Sequence, residues 1–482
     1  MDFGRVANES ATMRSRRILR NLLAVGASTA LCGCVALRGQ ALPERSSIEQ
    51  VAEAPASETT IQPPPPERTQ ESRPEVEAAQ APVTEPPPTP QPTGLKPTAE
   101  LRGRIQADAI WVNQSPTNKA ALGNINNAVG FRRARLGAQG TIGESASWIA
   151  EFEFAGGNIR FRDVYAEVDD LPWLRRFRVG HMREPFSLEG YTSSNVITFC
   201  ERSPINALDP TRNWGLGAFA YSENERFVCQ GGAFWDGTNS NTGDASGDAN
   251  QMAYTIRMTG LPWCDDGENG RLMHVGAAAS QRTPANDTVT IRDGPQNTLL
   301  NPADGVGSPF APQIVVPATQ QLLLNAQWAT IYGPLSFQAE WSATSIDIIG
   351  PGWTFLNGCY AQASYFLTGE HRGYDRRAGK FADVKVASPF VCRRGTSWSV
   401  TGWGAWEIAA RYSYANFDSP NIPLNSSGQV QASRETLLTF GLNWYLNEYF
   451  RFMFNYDHAI VVIPTFGSSD ADGFNFRTAI FW

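Results

Sequence analysis

Four charged residues frame the stretch GHMREPFSLEGYTSSNVITFCERS, residues 180–203: Arg183, Glu184, Glu201 and Arg202. Two kinds of chemistry fit them. The glutamates could act as a general acid and base, as in a catalytic loop. Alternatively, the arginines could bind an anion while the glutamates hold them in place, because a guanidinium offers planar donors and stays protonated. The elements that carry this stretch decide between the two.

Catalysis finds little support elsewhere in the chain. A covalent enzyme needs a Ser or Cys nucleophile beside a base. The sequence has four histidines, none of them in a recognisable Ser and His arrangement: His181, His274, His371 and His458. Five cysteines follow residue 41, an odd number without metal-type spacing. We therefore expect no enzymatic activity, no cofactor and no metal.

The first 98 residues are predicted to form two segments outside the folded domain. Residues 1–41 are typical of a signal peptide, because arginines precede the apolar stretch LLAVGASTALCGCVAL. Lipidation of Cys34 is an alternative to ordinary cleavage. Residues 42–98 contain 14 prolines and no aromatic residue, so we predict a disordered linker, with contact to cell-wall material as a second interpretation.

Residues 99–482 are predicted to form the folded domain, since they hold 52 of the 53 aromatic residues. Apolar side chains there recur with a period of two. In residues 335–344, for example, Leu335, Phe337 and Trp341 alternate with polar or charged neighbours. Segments of ten or more residues with aromatics on one side match membrane-spanning strands, whereas the strands of a soluble sandwich are shorter.

Counting such segments gives sixteen candidate strands: 100–112, 130–142, 147–155, 159–168, 175–182, 214–222, 226–236, 250–260, 271–282, 319–332, 334–345, 357–368, 402–416, 431–445, 450–461 and 473–482. Alternate connections are very short, and those between them are longer. The last segment ends on an aromatic residue, Trp482. The pattern predicts an all-β fold, a transmembrane antiparallel β-barrel of about 16 strands in the bacterial outer membrane and in contact with its lipid.

Six stretches in this domain resemble one family, the phosphate-selective porins O and P: FRRARLGAQGTIG at 131, FRDVYAEV at 161, VGHMREPFSLEGYTSS at 179, EHRGYDRRAGKFADVKVASPF at 370, GAWEIAARYSY at 404 and LNWYLNEYFRFMFNYDHA at 442. The resemblance implies a homotrimer of sixteen-stranded barrels, each with an anion-selecting pore. It also implies that the third long loop, residues 183–213, folds inward and narrows the pore. Arg183, Arg202 and Arg212 are then constriction candidates, with Glu184 and Glu201 as their pairing partners. A loop that only packs on the wall is the alternative.

Strand parity assigns further arginines to the pore. Arg176 and Arg178 alternate with Phe177 and Val179, so they face the lumen if the apolar side chains face lipid. The same parity gives the lumen a second set: Arg104, Arg133, Arg135, Arg257, Arg411, Arg451 and Arg477. An anion pore needs such fixed positive charge at its constriction. The alternative for each arginine is a pair with a luminal acid or a place at the rim.

A second basic stretch, residues 371–394, falls on the short-connection side of the barrel. Folding into the lumen would bring four of its charges to the pore: Arg376, Arg377, Lys380 and Lys385. A solvated turn with ion pairs is the alternative.

The sequence therefore predicts a passive, anion-preferring channel for phosphate or polyphosphate-like anions. Nucleic acid is not an expected partner, because residues 42–482 carry 34 basic and 45 acidic side chains. The chain has only four lysines, whereas the family lines its pores with both lysine and arginine. A general diffusion porin without phosphate specificity is therefore one alternative. A structural barrel that tethers the envelope and conducts little is another.

Overall fold

The structure, a computed structural model, describes residues 96–172, 174–238, 251–265, 270–291, 311–394 and 397–482. The expected signal peptide at 1–41 lies outside the described residues. So does the expected linker at 42–98, apart from its last three residues.

Within these ranges the chain forms β1 (Glu100–Gln114), α1 (Pro116–Leu122), β2 (Ala128–Ile142), β3 (Ala146–Glu153), β4 (Arg160–Asp169), β5 (Arg176–Arg183), α2 (Leu188–Tyr191), β6 (Arg212–Tyr221), β7 (Phe227–Trp235), β8 (Met252–Cys264), β9 (Leu272–Arg282), β10 (Thr288–Ile291), β11 (Ile314–Tyr332), β12 (Leu335–Ile348), β13 (Gly352–Phe366), β14 (Gly373–Asp375), β15 (Lys380–Ala382), β16 (Val391–Arg394), β17 (Ser397–Val400), β18 (Ala405–Phe417), β19 (Ser433–Tyr445), β20 (Phe450–Ile463) and β21 (Gly467–Phe481). Two short 3-10 turns, Pro204–Leu208 and Ala285–Asp287, complete the elements of the described ranges. Neither α-helix in these ranges is long and apolar enough to cross a membrane.

Sixteen of the described strands close into one antiparallel barrel; β10 only extends the pairing of β11, and β14–β17 form two separate hairpins. Closure is made by β1, which pairs with β2 on one side and with β21 on the other. Arg104, for example, lies opposite Arg135 of β2 and Phe481 of β21. A closed sheet leaves no unpaired edge, as the membrane requires. The predicted strand count and fold class are confirmed.

Side chains alternate between two environments along these strands. Outward positions carry apolar residues that stay largely exposed, such as Phe131 and Phe440, which are 62% and 53% exposed. Inward positions carry polar and charged residues that are almost fully enclosed, among them Arg257 and Arg477. This is the arrangement of a barrel with lipid outside and a polar lumen inside.

The connections between strands differ sharply in length. The turns at Gly333–Pro334 and at residues 446–449 are short, as expected for one end of the barrel. At the other end the predicted long loops are only partly present, since residues 349–351 and 464–466 also form tight turns. At the short-turn end one connection, residues 367–404, is long and contains β14–β17. We call residues 184–211, between β5 and β6, loop 3, and residues 367–404 the insertion.

Candidate pore constriction and anion site

Loop 3 leaves the wall after β5 and crosses the lumen to strands on the far side. Arg451 of β20 donates to the backbone oxygen of Ile197 over 2.9 Å, and Asn443 of β19 donates to that of Thr198 over 2.9 Å. Arg477 of β21 donates to the backbone oxygen of Cys200. The loop therefore lies inside the barrel, which agrees with the expected inward course and excludes simple packing on the adjacent wall.

The short helix α2 belongs to this loop, and three of its four residues are buried. The hydroxyl of Ser187 caps it by accepting from the Gly190 amide over 2.9 Å. A side chain at position 190 would collide with the Ser187 hydroxyl and with the Asp209 carboxylate, so the tight approach of these groups requires glycine there. From the far wall, the Glu340 carboxylate accepts from the amides of Leu188 and Glu189, each over 2.7 Å.

A cavity of about 300 Å³ remains between loop 3, the insertion and strands β1–β7. Its described lining contains three acidic side chains, Asp163, Glu167 and Asp375, against eleven basic ones. The basic residues are Arg102, Arg104, Arg133, Arg135, Arg176, Arg178, Arg183, Arg202, Arg212, Arg377 and Lys380. A chain that is acidic as a whole thus encloses a strongly cationic passage.

Most of these arginines are paired with carboxylates of the wall. Arg135 contacts Glu153 over 2.7 Å, and Arg212 binds Asp163 with two nitrogens, over 3.1 and 2.9 Å. Arg178 is held by Glu167 over 2.6 Å and lies between the rings of Tyr165 and Phe219. Pairing fixes these guanidiniums and offsets much of their charge.

Three lining cations have no carboxylate within 4 Å among the described residues: Arg183, Arg202 and Lys380. All three surround α2, and we call them the α2 cation cluster. Nη1 of Arg183 donates to the backbone oxygen of Gly190 over 2.6 Å. Arg202 donates from Nε to that of Glu189 over 3.0 Å and from Nη2 to that of Thr192 over 2.8 Å. The ammonium of Lys380 lies 5.2 Å from the ring centre of Tyr191.

The expected pairing of the loop glutamates with Arg183 and Arg202 is wrong. Glu184 instead binds Arg282 of β9 over 2.9 Å. Glu201 binds Arg132 over 2.8 Å and Arg477 over 2.7 Å. Because loop 3 crosses the lumen, its acids reach strands distant in sequence, which the spacing of residues 183–202 could not show.

Glu201 is held by the strongest cluster of cations in the loop. Burial alone would raise the pKa of its carboxyl, but the charges of Arg132, Arg133 and Arg477 hold that pKa well below its ordinary value. Sequence reasoning missed Arg132, since its parity points outward. A β-bulge between Gln106 and Ala107 of β1 shifts the register opposite β2. Arg132 and Arg133 therefore both reach Glu201 in the lumen.

The insertion enters the lumen from the short-turn end. The hydroxyl of Tyr374 lies 2.6 Å from Nδ1 of His274 on β9. Arg257 of β8 donates to the backbone oxygen of Gly379 over 2.6 Å. These contacts place Arg377 and Lys380 in the cavity lining, so the first part of the insertion is not a solvated turn.

Nine of the eleven residues predicted to bind the anion line this cavity: Arg133, Arg135, Arg176, Arg178, Arg183, Arg202, Arg212, Arg377 and Lys380. The other two do not line it. Arg376 donates to the backbone oxygen of Asp265 over 3.3 Å, and Lys385 is exposed. Five more arginines were assigned to the lumen by parity: Arg104 lines the cavity, Arg257 binds the insertion, and Arg411, Arg451 and Arg477 hold loop 3. The role of the lining residues in anion binding stays a prediction.

A closed sixteen-stranded barrel with an apolar outer wall, a loop across its lumen and a cationic passage defines an outer-membrane channel. The sequence profile of the family described as phosphate-selective porin O and P matches residues 100–459, about three quarters of the chain. The chain therefore belongs to this family and is a porin of the bacterial outer membrane.

Two relatives align over most of its length. A protein of Caulobacter vibrioides described as uncharacterized is 29% identical, covering 84% of this chain and 78% of its own. Porin O of Pseudomonas aeruginosa is 24% identical, covering 79% of this chain and 87% of its own. Among solved structures, an anion-selective porin from Comamonas acidovorans matches with a TM-score of 0.44 and 12% identity, over 80% of this chain and all of its own.

Proposed function

We propose that this porin is a passive, anion-preferring channel for phosphate or polyphosphate-like anions. The observation that carries the proposal is the α2 cation cluster, three lining cations that have no carboxylate of the described residues within 4 Å. A passing oxyanion is then the counter-ion that these side chains lack. Fixed positive charge between low-dielectric walls concentrates anions and replaces part of their lost hydration.

The donor geometry supports an oxyanion rather than a halide alone. Backbone oxygens of α2 and its flank engage one end of each guanidinium. No protein acceptor is recorded within the described ranges for Nη2 of Arg183 or Nη1 of Arg202, and both residues line the cavity. Planar N–H donors on residues that line a cavity suit the several oxygens of a phosphate.

A general diffusion porin is the second candidate, and a specific observation favours it. Eight of the lining arginines have a carboxylate within 4 Å among the described residues, for example Arg176 with Asp169 at 3.2 Å. If those pairs offset enough of the charge, small solutes of either sign would pass. A structural barrel that tethers the envelope is the third candidate. Such a barrel would show very low conductance.

Single-channel recording in planar bilayers tests these candidates. The purified porin is recorded in potassium chloride, the reversal potential under a salt gradient gives the anion-to-cation permeability ratio, and phosphate is then added. We expect a ratio above one and a chloride current that millimolar phosphate blocks. Equal permeability without block would leave the general porin, and absent conductance would leave the structural barrel.

We further propose that the porin is a homotrimer, as the family resemblance implies. Chemical cross-linking of the native membrane, read by gel electrophoresis, should give a ladder that ends at three subunits. Contact of residues 42–98 with cell-wall material is proposed as well, and a variant that lacks this segment should no longer sediment with purified peptidoglycan.

A further inference from the structure

We propose that Glu340 is the positioning residue of the constriction. It fixes α2 from the far wall and, through α2, the two arginines of the α2 cation cluster. The inference rests on the proposed function where phosphate block is measured. The hydrogen bonds from which it is argued do not depend on that function.

Glu340 reaches loop 3 from β12 and is only 3% exposed. Its Oε2 accepts from the Leu188 amide, and its Oε1 accepts from the Glu189 amide, each over 2.7 Å. On the wall side, the Tyr360 hydroxyl donates to Oε1 over 2.6 Å, and the Asn325 amide donates to Oε2 over 3.3 Å. Four donors thus satisfy one buried carboxylate, two from the wall and two from the loop.

The two arginines of the α2 cation cluster contact α2 and its flank through backbone oxygens, whereas Glu340 contacts it through backbone amides. The amides of Leu188 and Glu189 bind Glu340, and the backbone oxygens of Glu189, Gly190 and Thr192 accept from Arg202 and Arg183. A shift of α2 relative to β12 would therefore move all three acceptors at once. A binding site of this kind tolerates only about 0.5 Å of displacement before its geometry is lost.

The other loop groups near α2 do not accept from the two amides that bind Glu340. Ser187 accepts from the Gly190 amide, and Glu189 contacts Arg411 over 3.2 Å and accepts from the Ser203 amide over 3.0 Å. An alanine at position 340 removes both acceptors of the α2 amides. A glutamine keeps one acceptor and places an NH₂ group against the other amide, so it should have an intermediate effect.

A matched control lies elsewhere on the luminal wall. Asp457 of β20 is also a buried carboxylate, and it accepts from the Thr439 hydroxyl and from the Asn475 amide, each over 2.7 Å. Both partners belong to strands, and no hydrogen bond from these three side chains to loop 3 is recorded among the described residues. Substituting Asp457 therefore tests the loss of a buried wall carboxylate without the loss of the α2 contact.

The experiment compares Glu340→Ala, Glu340→Gln and Asp457→Ala with the wild type in planar bilayers. Three quantities are measured: the current noise and the conductance in chloride alone, and the phosphate concentration that halves the chloride current. Loss of a charge-assisted hydrogen bond corresponds to about tenfold or more in affinity. We therefore expect Glu340→Ala to weaken phosphate block at least about tenfold and to raise open-channel noise. Glu340→Gln should lie between, and Asp457→Ala should match the wild type.

Two failures can be told apart. If the wild type itself shows no anion preference and no phosphate block, the proposed function fails, and the role of Glu340 is decided by noise and conductance in chloride. If both Glu340 variants match Asp457→Ala in noise, conductance and block, the positioning role is overturned. Each variant must first show the folded, heat-modifiable band in gel electrophoresis. If Glu340→Ala does not fold, the near-isosteric Glu340→Gln decides.

Discussion

Replacing Arg202 by glutamate tests the α2 cation cluster most directly. Arg202 lines the cavity, and no carboxylate of the described residues lies within 4 Å of its guanidinium. The substitution removes one positive charge and adds a negative one at the same place. It should lower the anion-to-cation permeability ratio and weaken phosphate block of the chloride current.

The expected size follows from the distance between charges. An anion hydrogen-bonded to a guanidinium has its charge roughly 4 Å away, which is worth about 1 kcal/mol in water and about 4 kcal/mol at the effective dielectric of a protein surface. The cavity is open to water, so we take the lower figure. Losing that attraction and gaining an equal repulsion changes binding by about 2 kcal/mol, or about thirtyfold in the blocking concentration.

The assay is phosphate titration of the single-channel chloride current, with Lys385→Glu as the control. Lys385 undergoes the same change of charge, but it is exposed and lies outside the cavity lining. Salt screens such a distant charge, so this control should shift the blocking concentration less than about threefold. The assignment of Arg202 to the constriction would be refuted if phosphate blocked Arg202→Glu as strongly as the wild type. It would also be refuted if both variants shifted the blocking concentration equally.

Three further predictions concern loop 3. Glu201→Gln leaves buried arginines without their shared carboxylate, which should cost about 3 kcal/mol of folding free energy. The folded band in gel electrophoresis should therefore be lost at a lower temperature. Arg434→Gln breaks only an exposed ion pair, so it should leave that temperature unchanged. Burial and the nearby Glu340 carboxylate raise the pKa of Asp209 to about 8. Asp209 is therefore neutral at pH 6 and charged at pH 9, so the permeability ratio for anions should fall as pH rises through 8, and Asp209→Asn should abolish that fall. Gly190→Ala should weaken phosphate block in a folded barrel, because the new Cβ would displace the Ser187 hydroxyl or the Asp209 carboxylate; unchanged block would contradict the tight packing of α2.

Most of the barrel can be predicted from the sequence, because side chains of a membrane-spanning strand alternate between lipid and lumen with a period of two. Leu335, Phe337 and Trp341 had to face lipid, and the partners between them had to face the lumen. The same rule placed Arg133, Arg135 and Arg178 inside, where the structure has them. Strand count and luminal parity could thus be predicted without knowledge of any contact.

The pairings inside the lumen could not be predicted in this way. Glu201 binds Arg477, which is 276 positions away, and Glu340 binds amides about 150 positions away. Such partners meet only when the barrel closes and loop 3 crosses it. Arg132 was missed for a different reason, because one extra residue in a bulge reverses the parity on which its assignment depended.

The arginines that contact loop 3 divide into two groups by whether a carboxylate lies within 4 Å of the guanidinium. Arg411, Arg451 and Arg477 hold the loop from the far wall, and each of them has such a carboxylate. Arg183 and Arg202 donate to backbone oxygens, and no carboxylate of the described residues lies within 4 Å of either guanidinium. A backbone oxygen can orient a guanidinium without cancelling its charge, which a carboxylate cannot do. The anion preference that we propose therefore depends on the lining cations without a nearby carboxylate, and the net charge of −7 over the whole chain does not oppose it.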